Sequence, residues 1–184
     1  MLITYERDKL INAIVYFAEK TDHVGKTKLY KLLYLLDFEH FRQTGRSVTG
    51  LDYYAWKLGP VPVSLDEEIE EPKTDFDAAV TIELEQVINH TRIRIKAVRS
   101  FDSNYFSKRE LHLLQSISEK YKDNFSMKMV DITHLKGDPW ERVYANGEGY
   151  NELIPYELAV LGEDSALILE RAKEYQALRQ HFAG

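Results

Sequence analysis

The chain contains no cysteine, which excludes disulfides, thiolate nucleophiles and Cys-rich zinc sites. It also lacks any uncharged apolar run near the roughly eighteen residues that a membrane-spanning helix needs. Its opening, MLITYERDKLINAIVYFAEK, shows no basic leader followed by an apolar core and a small-residue cleavage site. A cytoplasmic protein without membrane insertion is expected. Glycine is sparse, with nine in all. Gly147 and Gly149 come closest to a phosphate loop, but no third glycine or following lysine completes it, so Asn146 to Gly149 reads as a turn. No serine sits in a GxSxG elbow, and the six histidines form no HExxH pair. No metal or cofactor is expected, and catalysis is not.

What is there describes one ordinary globular domain over residues 1–184, with 44% apolar and 29% charged residues. A net charge of −6 argues against nucleic acid as the main partner. Twelve tyrosines are the compositional excess. They suit either core edges, with the hydroxyl reaching a polar partner, or a protein contact surface.

The organising stretch runs from Lys26 to Pro62. In KTKLYKLLYLLDFEHF the apolar residues Leu29, Leu32, Leu33 and Leu36, widened by Tyr30, Tyr34 and Leu35, recur at helical spacing. A stripe so broad must be covered on more than one side, which makes this the central helix. Thr27 is its candidate cap, and it ends near Gly45. Glu6 to Lys20 reads as a helix that packs antiparallel against it. Leu51 to Leu58 fits helix or strand equally, and Gly59-Pro60-Val61-Pro62 forms a rigid corner leading into a short acidic helix from Val63 to Glu71.

Val80 to Val98 alternates as a hairpin around an Asn89-His90 turn. That register sets Leu84 against Ile95, Ile82 against Ala97 and Gln86 against Ile93 on the inner face. Glu85 faces Arg94, and Glu83 faces Lys96, on the outer one. The acidic strand then neutralises much of Arg92, Arg94, Lys96 and Arg99. Ser107 to Glu110 is a capping box opening a helix with Leu111, Leu114, Ile117, Ser118 and Tyr121 inward. Ser126 to Leu135 is a further helix anchored by Met127, Val130 and Leu135. Asp138-Pro139 starts a turn carrying Trp140 and Tyr144. A last helix covers Asp164 to Phe182, with Leu167, Leu169, Ala172, Tyr175, Leu178 and Phe182. The fold class is therefore α+β, mainly α: a helical domain around a central apolar helix with a small antiparallel β-hairpin or sheet.

Candidate interaction residues follow from shape and chemistry. Tyr53, Tyr54 and Trp56 flank the Gly59, Pro60, Val61 and Pro62 corner. Because proline has already fixed part of its backbone, such a corner docks a partner at low entropic cost, or serves as a latch over the central helix. His134 and Trp140 either pack one helix end onto the next turn or line a partner-facing groove. The acidic run Asp66 to Glu71 is either solvated or a landing site for a basic partner. Asp37 and His40, like Asp131 and His134, are three apart. A hydrolase or nucleotide-processing enzyme would need these four to converge.

Together, Lys28-Leu29-Tyr30-Lys31-Leu32-Leu33-Tyr34, Gly50, Tyr53-Tyr54-Ala55-Trp56 and Gly59-Pro60-Val61-Pro62 resemble the signature of the Panacea domain, the SocA-like antitoxin family. Phe106-Ser107, Glu110, Thr133-His134 and Trp140 resemble its second block, and the likeness covers roughly residues 5 to 145. The resemblance implies a mainly helical domain with a small sheet that neutralises a cognate toxin by direct protein contact and occlusion. It implies phage or prophage settings for related domains and, for an adaptor-like member, a protease as second partner. This chain begins almost at once with the domain and leaves no room for the separate DNA-binding module of some members, so no direct nucleic-acid binding is expected.

Overall fold

The computed structural model describes residues 5–87, 90–163 and 165–182. Helix α1 (Glu6–Lys20) and helix α2 (Lys26–Thr44) have the expected extents, and they pack against each other. Thr27 is not the cap of α2. Gly25 occupies that position without a side-chain bond, and at the other end Gly45 stops the helix at φ 74° with its amide on Phe41.

Helix α2 is buried nearly all round, including Lys28, Lys31, Asp37 and His40. Each of these polar groups has a specific acceptor or donor, as burial requires. Lys28 Nζ donates to the carbonyls of Asp22 (2.6 Å) and Lys122 (2.8 Å), tying the α1–α2 loop to a distant turn. Asp37 accepts from the amides of Val48 and Thr49 (both 2.8 Å), the Thr49 hydroxyl (2.5 Å) and the Tyr53 hydroxyl (2.7 Å). Burial outweighs these donors and pushes its carboxyl up to about 6. The Asp37 hub pins the segment entering the corner onto the central helix.

The ambiguous stretch after α2 is extended. Strands β1 (Tyr54–Trp56) and β2 (Gly59–Val61) form a small antiparallel hairpin, and helix α3 (Val63–Glu70) follows. The acidic charge of α3 is largely spoken for within the chain. Glu68 and Asp75 grip Arg7, at 2.5 and 2.7 Å, while Asp66 and Glu70 both reach Lys26.

A one-turn helix, α4 (Thr74–Asp77), leads to the second hairpin, β3 (Val80–Val87) and β4 (His90–Ala97). Its register differs by two residues from the expected one. Ile82 faces Ile95, Leu84 faces Ile93, Gln86 faces Thr91, Glu83 faces Arg94 and Glu85 faces Arg92. Every side chain keeps its face, because the slip is even. The observed pairing matches apolar with apolar and lets Gln86 donate to Thr91 (2.8 Å), where the expected one set Gln86 against Ile93. Glu85 to Arg92 (2.7 Å) and Glu83 to Lys96 (2.6 Å) neutralise the basic strand. The expected turn at Asn89 lies outside the described residues. Only the base of the hairpin reaches the core, where the Ile95 amide donates to the Val24 carbonyl (2.8 Å). Leu84, expected inward, is 73% exposed.

Helix α5 (Lys108–Lys120) opens with the Ser107–Glu110 capping box. Helix α6 (Ser126–Thr133) is anchored by Met129 and Val130; Met127 and Leu135, expected as anchors, are exposed. Pro139 begins helix α7 (Pro139–Tyr144). Helix α8 (Ser165–Phe182) packs against α2 so closely that a methyl on Gly45 would lie 2.7 Å from the Ile168 carbonyl oxygen. Among its described side chains none is fully buried, and Leu167 and Leu178 are exposed. The architecture is α+β, mainly α, around α2. Among the described residues no helix is long and apolar enough to cross a membrane.

Candidate functional site

The corner is assembled from four separate stretches of chain that meet over one face of α2. In the β1–β2 hairpin Tyr54 pairs with Val61 and Trp56 with Gly59, leaving Lys57-Leu58 as the two-residue turn. Gly59 sits at φ 102°, and a methyl there would fall 2.8 Å from Lys31 Cε, 2.9 Å from its Nζ and 3.1 Å from His134 Nε2. Only glycine satisfies both the backbone and this close approach.

Lys31 Nζ donates to the Pro60 carbonyl (2.8 Å), its one acceptor among the described residues. Burial lowers its ammonium to about 7. His134 Nε2 is buried with no hydrogen-bond partner among the described residues. Its imidazole is held below the usual range by burial first and by the charge of Lys31 second. The His134 ring stacks on Trp140 at 3.6 Å with the planes 6° apart, and Trp140 stacks in turn on Tyr144 at 4.7 Å. Trp140 Nε1 donates to the Trp56 carbonyl (3.0 Å).

On the open edge of β1 lies a strap that the sequence did not announce. The Ala55 amide donates to Glu152, while the amides of Asn151 and Ile154 donate to Ala55 and Tyr53, all within 2.9 Å. Asn151 adopts φ 63°, and its Oδ1 accepts from Trp56 Nε1 (2.9 Å). The expected Asn146 to Gly149 turn delivers this strap, with Asn146 at φ 58° and Gly149 where a methyl would overlap the Val143 carbonyl.

The expected interaction residues thus come together, at different depths. Tyr53, Gly59, Pro60, Val61, Pro62 and Trp140 are buried, and Tyr54, Trp56 and His134 are half-buried. Lys57 and Leu58 reach solvent, Leu58 at 50% exposure. Leu135, which follows His134 in the chain, and Met127 on α6, which packs on β2, are exposed as well. Lys31 is the central member, named from the sequence only as part of the signature and given no role at the corner there. Its signal was a cation on a helix whose other sides are almost all apolar.

The four groups that a catalytic centre would need are dispersed in their contacts. Asp37 is sealed in its own network, His40 Nδ1 is held by the Arg46 carbonyl (2.7 Å), and no side-chain bond joins Asp131 to His134. No cluster of three metal-ligating side chains occurs among the described residues. What the corner provides is a preformed shape, with a turn and an apolar margin turned outward.

Residues 29–141 match the model of a protein family described as antitoxin SocA-like, Panacea domain. That span holds most of α2, the β1–β2 hairpin, His134 and Trp140, while Tyr144 and the 151–154 strap lie beyond it. No curated protein and no solved structure matches the chain.

Proposed function

The chain belongs to the SocA-like Panacea antitoxin family, and on that premise we propose that it neutralises a cognate toxin by binding it directly and covering its working surface. The family match carries this reading. In support of it stand a corner that is rigid before any partner arrives, which lowers the entropic cost of docking, and an apolar margin beside it. In the proposed complex the buried Tyr53, Pro60, Val61 and Trp140 act as the frame. Lys57-Leu58, Leu135 and Met127, with the open edges of Tyr54 and Trp56, make the contact. The acidic helix α3 plays a minor part, because its Glu68, Asp66 and Glu70 already hold Arg7 and Lys26.

The test is growth. Expression of the gene next to this one is expected to arrest cells unless this protein is co-expressed. Leu58→Glu, which puts a charge on an exposed turn without touching the core, is expected to abolish rescue while leaving the melting temperature within about 2 °C of the parent. Absence of arrest, or rescue by unrelated proteins as well as by this one, would remove the antitoxin reading. Full rescue by Leu58→Glu would move the contact away from the corner.

A further inference from the structure

A second concavity lies apart from the corner, with a volume of about 900 Å³, inside the ~300–1,000 Å³ span of small-molecule sites. Its walls are the start of α1, the end of α2 with the following loop, the start of α5, and α8. Two of these walls, α1 and α8, lie outside residues 29–141. The cleft is therefore a feature of this chain beyond the matched domain.

Its charge runs against that of the molecule. Overall the chain carries −6, yet Lys9, Arg46, Lys108, Arg109 and Arg171 line the cleft against Glu6, Glu110 and Glu174. Lys9 is matched by Glu110 (2.6 Å), and Glu6 is taken by Arg179 (2.9 Å). The Arg46 guanidinium carbon lies over the Tyr175 ring, 4.2 Å from its centre. Among the described residues Arg46, Lys108, Arg109 and Arg171 have no carboxylate partner. Like charges gathered in a concavity with protein walls focus a positive field on whatever enters.

Two further observations point to a ligand. His40 is only 7% exposed, and its Nδ1 is fixed on the Arg46 carbonyl. That bond places the proton on Nδ1. Nε2 is then left as an acceptor with no partner among the described residues, on a residue that lines the cleft. At the start of α5 the capping box occupies the amides of Ser107 and Glu110. The amides of Lys108 and Arg109 have no partner among the described residues, at the positive end of a 13-residue helix.

We propose that this cleft binds a small phosphate-bearing ligand of nucleotide size. Arg46, Arg109 and Arg171, with the first amides of α5, meet the phosphates. His40 Nε2 accepts from a ligand hydroxyl. The half-exposed ring of Tyr5, set edge-on to Tyr105 at 5.8 Å, offers a face for a flat base at the mouth. This proposal stands independently of toxin neutralisation.

Calorimetry and amide NMR on the full chain, with pyrophosphate, ADP, adenosine and citrate as probes, test it. ADP is expected to bind most tightly, pyrophosphate more weakly, and adenosine and citrate least. The ADP shifts should centre on the Lys108 and Arg109 amides and the His40 ring. Arg109→Ala and Arg171→Ala, both at exposed positions, are each expected to weaken ADP about tenfold, whereas Lys73→Ala, exposed and outside the cleft, leaves ADP affinity unchanged. His40→Gln should weaken ADP while leaving pyrophosphate unchanged. Absence of shifts at millimolar ADP, citrate binding as tight as pyrophosphate, or ADP affinity indifferent to both arginine variants would each overturn the proposal. So would shifts that map to β4 instead.

Discussion

Asp37→Ala is expected to cost about 3–5 kcal/mol of folding stability, the range for removing one partner from a buried charged network. The carboxylate is fully buried and takes four donors: two amides and two hydroxyls. Alanine leaves all four without an acceptor in a site closed to water, and the amides of Val48 and Thr49 cannot turn elsewhere. Each buried unpaired group costs ~1–3 kcal/mol. Partial collapse of the loop recovers some of that sum. Asp37→Asn keeps one carbonyl oxygen, and the Thr49 and Tyr53 hydroxyls can rotate to accept from its amide. It is expected to lose only ~1–3 kcal/mol. Tyr53→Phe removes one donor together with its share of the demand and should cost ~1 kcal/mol. Urea unfolding followed by fluorescence and far-UV dichroism reads all three. An alanine variant within about 1 kcal/mol of the parent would show that this hub does not hold the corner to α2.

Lys31→Met is expected to change stability in the opposite sense and to remove a pH dependence. Lys31 is 1% exposed, and burial lowers its ammonium from 10.5 to about 7. Between those values the unfolded chain holds a proton that the folded chain has released. Stability from this group is therefore fully present above the unfolded value and is lost as pH falls through about 7. At ~1.36 kcal/mol per pKa unit, the full shift is worth at most roughly 5 kcal/mol. Methionine fills similar volume without that cost, but it leaves the Pro60 carbonyl without its donor, which returns ~1–3 kcal/mol. At pH 7 the variant should be more stable by a few kcal/mol, and its stability should not rise between pH 7 and 10 as the parent's does. Toxin binding is expected to weaken all the same, because the bond from Lys31 to Pro60 sets the position of the turn that carries Leu58. Equal pH profiles in parent and variant would refute the assignment of a buried, depressed lysine.

The parts of this molecule written in local pattern were legible from sequence. The extents of α1 and α2, the capping box at Ser107 and the proline start of α7 each rest on neighbours within about one turn. The hairpin faces were legible too, since alternation fixes them, but the register was not, because pairings two residues apart share every face. Met129 and Met127 show the same limit within one short helix, where either phase of an 8-residue segment offers an apolar side. In the corner, the grouping of Trp56, Gly59, Pro60, His134 and Trp140 came from family resemblance rather than from spacing. Their depths did not. The role of Lys31 and the 151–154 strap were not legible because each is defined by a partner far along the chain, the Pro60 carbonyl for one and the edge of β1 for the other.

The central claim is that neutralisation is stoichiometric occlusion by a folded surface. Titrating purified toxin with this protein and following residual toxin activity tests it most directly. A linear fall ending at a fixed molar ratio, with both chains recovered intact in one complex by size exclusion, is the predicted result. Full loss of toxin activity at a small fraction of an equivalent, with either chain or the toxin's product chemically altered, would contradict it.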